Sequence, residues 1–151
     1  MDKNKPNLYI LIGLPGSGKS TYAKNLDGIL VSSDYIRECL YGDESIQGNP
    51  KTIFSYMHEI TKLNLLDNRN SIWDATSTSK KNRLDIINKY KDIANIVGVY
   101  FDVDIKECLY RNSNRTRVVP QYVIERMNKD FEVPTVDEGF DKLDIISTSN
   151  V

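Results

Sequence analysis

Apolar residues along the chain form two kinds of pattern, short continuous runs and longer stretches in which they recur every three or four positions. Continuous runs bounded by glycine or polar residues are typical of strands buried on both faces of a parallel sheet. The predicted strands are residues 8–12, 29–31, 71–76, 96–103 and 143–147, the last of them at a sheet edge. The helical spacing is clearest from residue 51 to 67, where Ile53, Met57, Ile60 and Leu63 mark one buried face.

The remaining helices are expected between these strands, at residues 19–26, 35–42, 84–90 and 104–111, with one more helix starting at Pro120. Strands that alternate with helices imply right-handed crossovers and a parallel sheet covered on both sides. The predicted fold class is therefore α/β, a three-layer sandwich around a parallel five-stranded sheet. Ligands bind such a sheet at the C-terminal ends of its strands, so residues 13–21, Asp34 and residues 74–76 are expected to converge there.

Length and composition limit the classes of protein that this chain can be. Its 151 residues suit a single domain, residues 1–151, and the 40% hydrophobic and 27% charged content is ordinary for a globular protein. A net charge of −1 provides no general basic field for holding long duplex DNA. The apolar runs are strand-sized and the first residues lack the apolar core of a signal peptide, so we expect no membrane partner and a cytoplasmic location.

The cysteines and the single histidine, which are often catalytic or metal-binding, are predicted to have structural roles in this chain. Cys39 and Cys108 follow no metal-ligand spacing and lie in apolar helical patterns, so both are expected to be buried, reduced thiols. His58, the only histidine, lies in an amphipathic helix without a partner, which favours a core or surface role over catalysis.

The segment "GLPGSGKS" matches the phosphate-loop pattern G-x-x-x-x-G-K-[ST] at every fixed position. Glycines let backbone N–H groups turn toward phosphate oxygens, and the helix that follows presents its positive end to the same anion. Lys19 would reach the β- and γ-phosphates, and the Ser20 hydroxyl would be a ligand of the Mg²⁺ that accompanies ATP. The predicted nucleotide-binding residues of this loop are Gly13, Pro15, Gly16, Ser17, Gly18, Lys19, Ser20 and Thr21.

Asp34 and Arg37 follow the second strand, three residues apart on one side of a helix. The carboxylate could accept the proton of an attacking hydroxyl, and the guanidinium could hold a phosphate already on the acceptor. The alternative is structural, with a helix N-cap at Ser33 or Asp34 and a surface ion pair.

Asp74, Ala75 and Thr76 end the third predicted strand, where a phosphate-loop enzyme can carry an acidic group, here Asp74, in the second shell of Mg²⁺. The alternative is that this segment caps the helix beginning near Ser79. Lys80, Lys81 and Arg83 could contact a nucleic-acid backbone or form a solvated helix face.

The segment at residues 111–119 is strongly basic. If a helix extends through it, Arg111 and Arg115 share one face and can close over the phosphates as a lid. Arginines placed on a transferring phosphoryl group stabilise its transition-state charge, which makes Arg115 a candidate catalytic residue. A basic loop without a role is the alternative.

With these residues in place, the chain resembles the kinase domain of the bacteriophage-type 5′-polynucleotide kinase family, within the wider group of small phosphate-loop kinases. The resemblance covers "GLPGSGKST", "SSDYIR", "WDAT" and "FDVDIKECLYRNSNRTRVVPQYVIERM". It implies that Asp34 is the general base, Arg37 binds a phosphate of the acceptor strand, Arg115 stabilises the transferring phosphate and Thr76 lines the acceptor pocket. It also implies a role in nucleic acid repair.

The chain departs from the family in two respects. The phage enzyme carries a C-terminal 3′-phosphatase domain, for which this chain has no room. Relatives commonly have Asn after the strand-three threonine, where this chain has Ser77, so the acceptor contacts are less defined.

The leading functional hypothesis is an ATP-dependent kinase that uses Mg²⁺ and transfers the γ-phosphate to the 5′-hydroxyl of single-stranded RNA or DNA. The first alternative keeps the kinase chemistry with a small molecule, a nucleotide sugar or an aminoacyl-tRNA as acceptor. The second is a noncatalytic, nucleotide-gated binding module. A guanine reader usually carries Asn-Lys-x-Asp, which "NKYK" and "NKDF" both fail to match.

Overall fold

A computed structural model describes residues 1–116 and 118–147. In chain order the elements are β1 (Asn7–Ile12), α1 (Lys19–Ala23), β2 (Ile29–Ser32), α2 (Ser33–Tyr41), α3 (Pro50–Leu66), β3 (Ser71–Asp74), α4 (Lys80–Tyr90), β4 (Asn95–Asp102), α5 (Ile105–Ser113), α6 (Gln121–Asp130), a 3₁₀ turn (Val136–Glu138) and β5 (Lys142–Ser147). The sheet has five strands in the order β2-β3-β1-β4-β5, and all of its pairings are parallel. The predicted α/β class and the position of β5 at an edge are confirmed.

Strands β1, β2 and β3 each precede candidate site residues, and their pairing places their C-terminal ends at the same level of the sheet. Asp74 of β3 pairs with Leu11 of β1 on one side and with Ser32 of β2 on the other. Because the strands are parallel, the loops that leave them emerge together at the C-terminal edge of the sheet. The convergence expected from the sequence follows from this register.

Two apolar clusters cover the two faces of the sheet. Alternate residues of β1 point in opposite directions, so Leu8 and Ile10 pack with Met57 of α3 and Ile86 of α4. Leu11 belongs to the cluster on the other face, formed with residues of α1, α5 and α6. Burial on both faces explains why β1 reads as a continuous apolar run.

Several elements end earlier or later than predicted. The first helix is shorter, since α1 ends at Ala23 and the amides of Asn25 and Leu26 bond to carbonyls three residues back. Strand β3 ends at Asp74, so Ala75 and Thr76 leave the sheet. Pro120 lies at the N-cap position of α6, one residue before the first helical turn in which it was predicted.

Lys80, Lys81 and Arg83 were expected to contact nucleic acid or to form a solvated face; Lys80 and Lys81 are exposed, whereas Arg83 is buried and departs from that prediction. Its guanidinium is fully buried and donates to Glu138 from Nε at 2.7 Å and from Nη2 at 3.1 Å. A third bond runs from Nη1 to the carbonyl of Ser77 at 2.9 Å. Arg83 therefore joins α4 to the loop after β3 and to the 3₁₀ turn.

The two cysteines differ in their surroundings. Cys108 is a buried thiol as predicted, whereas Cys39 is exposed and departs from the prediction. Across residues 1–116 and 118–147, no helix is both long and apolar enough to span a membrane.

Candidate active site

The phosphate loop connects β1 to α1 and is tied to the neighbouring strand. The amide of Gly13 donates to the carbonyl of Thr76 at 3.0 Å, which fixes the start of the loop beside the exit of β3. Gly16 and Gly18 have φ angles of +83° and +97°, in the left-handed region that side chains disfavour. A Cβ on Gly16 would also collide with the backbone carbonyl of Cys108. The loop therefore requires glycine for its backbone conformation and for its close approach to α5.

Lys19 places a buried ammonium group inside this loop. Its Nζ donates to the carbonyls of Gly13 and Leu14, each at 2.9 Å. Burial lowers the pKa of Lys19 to about 8, and the neighbouring Asp74 charge opposes that shift. The ammonium is thus held at the loop by two carbonyls that a phosphate group could replace as its partners.

Ser20 and Asp74 lie side by side at the floor of the site. The Ser20 hydroxyl donates to Oδ2 of Asp74 at 3.3 Å. Burial raises the pKa of the Asp74 carboxyl above its usual value, and the Lys19 charge acts in the opposite direction. A hydroxyl and a carboxylate are the hard oxygen donors that Mg²⁺ prefers, so these two residues fit the metal that a phosphate-loop nucleotide carries.

Asp34 lies in the first turn of α2 and is engaged by two arginines. Its Oδ1 accepts from Nη1 of Arg37 at 2.9 Å, and its Oδ2 lies 3.5 Å from Nη2 of Arg115. The N-cap of α2 is Ser32, whose hydroxyl oxygen accepts from the amide of Tyr35. The alternative of a cap at Ser33 or Asp34 is wrong, because the preceding residue already performs that function.

Capping also does not account for Asp74. The helix that follows is capped by Ser79, whose side chain accepts from the amide of Asn82 at 3.4 Å. Asp74 is buried at the end of β3 and its oxygen is directed to Ser20 instead. Its position supports the role near the nucleotide rather than the structural alternative.

The basic segment is not a continued helix, which corrects one prediction. Helix α5 ends at Ser113, with Arg111 in its last turn bonded to Glu107 at 2.9 Å, and Arg115 lies beyond it. The reason is local, since the buried Asn112 side chain bonds both the amide and the carbonyl of Val119 and folds the segment back. Arg115 still reaches Asp34 without sharing a helix face with Arg111.

Arg117, which belongs to the basic segment at residues 111–119, lies outside the described residues.

One cavity of about 500 Å³ collects the candidate residues. The predicted residues that line it are Pro15, Gly16, Gly18, Lys19, Ser20, Thr21, Asp34, Arg37, Asp74, Thr76, Arg111 and Arg115. Gly13 and Ser17 were predicted to bind nucleotide but do not line the cavity. The Ser17 side chain is buried beneath the loop next to Gly13, and its amide donates to the carbonyl of Leu14 at 3.1 Å.

Sequence reasoning missed part of the wall. Gln47, Phe54, Tyr122, Val123 and Met127 also line the cavity. Tyr122, Val123 and Met127 lie on α6, directly after Val119 and Pro120. Because they follow the basic segment so closely in the sequence, their presence in the cavity wall could have been predicted. Gln47 and Phe54 carry no local motif, and only the packing of α3 and its preceding loop against β3 brings them to the site.

Comparison with known proteins agrees with this geometry. The AAA domain family matches residues 8–134. The L-seryl-tRNA(Sec) kinase of Methanococcus maripaludis is 31% identical over 150 residues, which cover 91% of this chain and 57% of that protein. The chain thus spans little more than half the length of this relative.

Solved structures extend the comparison to the fold. A chain in the Pnkp1/Rnl/Hen1 RNA repair complex has a TM-score of 0.75 and 26% identity, covering 85% of this chain and 45% of that one. Kti12 of Chaetomium thermophilum, solved in complex with ADP-AlF3, has a TM-score of 0.70 over 93% of this chain and 88% of its own, and at 17% identity it shows the fold alone. Together with the family match and the phosphate loop, these likenesses show that the chain belongs to the AAA domain family and is a phosphate-loop protein of the kinase type.

Proposed function

We propose that the chain is an ATP-dependent 5′-hydroxyl polynucleotide kinase, which transfers the γ-phosphate to single-stranded RNA or DNA ends. The observation that carries this proposal is the placement of Asp34 in the same cavity as the phosphate loop, with one carboxylate oxygen facing Arg37 and the other facing Arg115. A proton acceptor, an anion-binding cation and a phosphoryl-stabilising cation are the groups that this reaction needs. The RNA repair complex among the structural neighbours is consistent with this acceptor class.

In the proposed reaction the chain's own residues position and neutralise charge. The oxygen of the 5′-hydroxyl forms a bond to the γ-phosphorus, and Asp34 accepts the proton of that hydroxyl. The bond between the γ-phosphorus and the β–γ bridging oxygen breaks, and ADP leaves. Lys19 and Arg115 offset the negative charge that develops on the phosphate oxygens. Ser20, with Asp74 behind it, would hold Mg²⁺, which supplies further neutralisation of the phosphates when bound.

Arg37 is assigned to the acceptor side. It is mostly buried, with a side-chain exposure of 14%, and it lies at the middle of α2, where it lines the cavity. Its Nη1 donates to one carboxylate oxygen of Asp34, and a guanidinium can also bind a backbone phosphate of the acceptor strand in bidentate geometry. The arginines that line the cavity can bind the few phosphates of a single strand end. Binding so few phosphates does not require a large positive net charge, so it is compatible with the net charge of −1.

The first test is transfer of labelled phosphate from ATP to 5′-hydroxyl oligonucleotides by the purified protein. Asp34→Asn should lower kcat by about 100-fold or more while ATP affinity stays the same, because the amide keeps the size of the side chain but cannot accept the proton. The matched control is Asp27→Asn, an exposed aspartate outside the cavity, which should retain wild-type rates. Near-normal turnover in Asp34→Asn would remove the base assignment, and no transfer to any oligonucleotide by folded, ATP-binding protein would end the proposal.

A second candidate keeps the chemistry and changes the acceptor to an aminoacylated tRNA or a small metabolite. The 31% identical relative, named for L-seryl-tRNA(Sec), favours this candidate because a seryl group also presents a primary hydroxyl. The discriminating experiment offers both acceptor classes at equal ATP. Transfer to seryl-tRNA or to a metabolite, with none to oligonucleotides, would decide for the second candidate.

A further inference from the structure

A second, smaller cavity lies next to the candidate active site. It has a volume of about 210 Å³ and lies between α3, the end of β3 and α4. Phe54, Ala75 and Thr76 line this side cavity and also the larger one. A molecule whose hydroxyl lies near Asp34 could therefore extend a neighbouring group past Thr76 into the side cavity.

Three aromatic side chains, those of Phe54, His58 and Trp73, line the side cavity together with small and polar residues. The rings of Phe54 and Trp73 are nearly parallel, with an interplanar angle of 6° and centroids 6.3 Å apart. The His58 ring lies 4.6 Å from that of Trp73 and is anchored by the Tyr90 hydroxyl, 2.7 Å from its Nδ1. Trp73 is 1% exposed and forms the floor, whereas Phe54 is only partly buried and presents its ring to both cavities. Such a lining favours a planar ring over a sugar or an aliphatic chain.

The rim of the side cavity carries polar groups that are available to a ligand. Asn82 and Asp85 lie three residues apart on α4, both exposed, and line the cavity. Within residues 1–116 and 118–147, neither side chain makes a hydrogen bond or an ion pair. A carboxylate accepts and cannot donate, so Asp85 selects a ring whose edge carries N–H donors.

We propose that the side cavity binds the base of the acceptor's 5′-terminal nucleotide, with the base stacked on Phe54 and its N–H edge directed to Asp85. This inference rests on the proposed polynucleotide kinase function and adds a substrate preference to it. Guanine fits best because its edge presents two adjacent N–H donors to one carboxylate. Uracil and thymine, with a single N–H between two carbonyls, fit less well.

The test compares two 5′-hydroxyl oligonucleotides that are identical except that the first residue either carries guanine or is abasic. Stacking of one base contributes on the order of 1–3 kcal/mol, so wild-type protein should show a kcat/KM about fivefold to 140-fold higher for the guanine substrate. Phe54→Leu should bring that ratio to within about twofold of unity. Tyr56→Leu, an exposed aromatic on the same helix outside both cavities, should leave the ratio unchanged. The ratio is compared only in variants whose circular dichroism matches that of the wild type, because loss of folding would lower both rates together and leave the ratio intact.

The edge contact is tested separately with Asp85→Asn. This variant should lose the preference for guanine over uracil by several-fold while retaining the preference for a base over an abasic residue. Equal rates on guanine and abasic ends in the wild type, or a ratio that survives Phe54→Leu, would overturn the inference and leave the kinase function standing. Failure to phosphorylate any oligonucleotide would instead refute the proposed function, and this inference with it.

Discussion

Asn112 holds the segment that carries Arg115 against the rest of the molecule. Its Nδ2 donates to the carbonyl of Val119 at 2.7 Å, and the amide of Val119 donates to its Oδ1 at 3.0 Å. Both residues are buried, at 4% exposure each. The two bonds join the end of α5 to Val119 and thereby help to hold Arg115 beside Asp34.

Replacing Asn112 with alanine should destabilise the protein by about 2–4 kcal/mol. The change leaves one N–H and one C=O of Val119 buried without partners, and each such group costs about 1–3 kcal/mol. The lower part of the summed range applies because the loop is at the surface and water can reach a loosened backbone. The free energy of unfolding, measured by urea denaturation, gives the comparison directly.

Asn114→Ala is the matched control, since Asn114 lies in the same segment but is exposed, and its side-chain amide donates to the carbonyl of Tyr110. It should have little effect on stability. Under conditions where both variants are folded, Asn112→Ala should also lower kcat, because Arg115 is no longer held beside Asp34. Equal stabilities of the two variants, or wild-type kcat in folded Asn112→Ala, would refute this account of the loop.

Three further predictions follow from other parts of the structure. Gly16→Ala should abolish nucleotide binding, measured by ATP titration, because the added Cβ meets a positive φ and the Cys108 carbonyl; wild-type affinity would contradict this. Arg83→Met should cost about 3–5 kcal/mol in urea unfolding by leaving Glu138 charged and buried, and adding Glu138→Leu should recover much of the loss; a double variant no better than the single one would contradict it. Burial lowers the pKa of His58 to about 4 from 6.5. The contribution of neutral His58 to the free energy of unfolding is therefore complete above pH 6.5 and is lost as the pH falls toward 4. After discounting for partial exposure the loss is about 1–2 kcal/mol, and His58→Phe should flatten it; an unchanged pH profile in that variant would contradict the assignment.

Much of the site could be predicted because its signals are local. The phosphate loop is a contiguous pattern, and Asp34 is recognisable as a carboxylate directly after a strand. The conformation of the basic segment was harder to predict. The four-residue spacing of Arg111 and Arg115 is also a local signal, but it wrongly suggested a continued helix. The bonds from Asn112 to Val119 override it across seven residues of chain.

Other features depend on partners distant in the sequence. Arg83 reads as part of a basic helix face, and its burial requires Glu138, which lies 55 residues away. Ser77 adopts a φ of +50°, which serine does not favour. No sequence motif predicts this conformation of Ser77. Its carbonyl accepts from Arg83, so the same buried ion pair supports this strained turn beside the site.

The sequence by itself determined the order of strands and helices, the parallel sheet and the identity of the phosphate loop, because hydrophobic periodicity and glycine placement act over a few residues. Only the tertiary structure decided which charged side chains meet in one cavity, how the basic segment folds and where an aromatic side cavity opens. The physical reason is that these features depend on strand register and on buried side-chain hydrogen bonds, which join residues 7 positions apart in the basic segment and 55 positions apart between Arg83 and Glu138. Such contacts leave no periodic trace in either of the segments that make them.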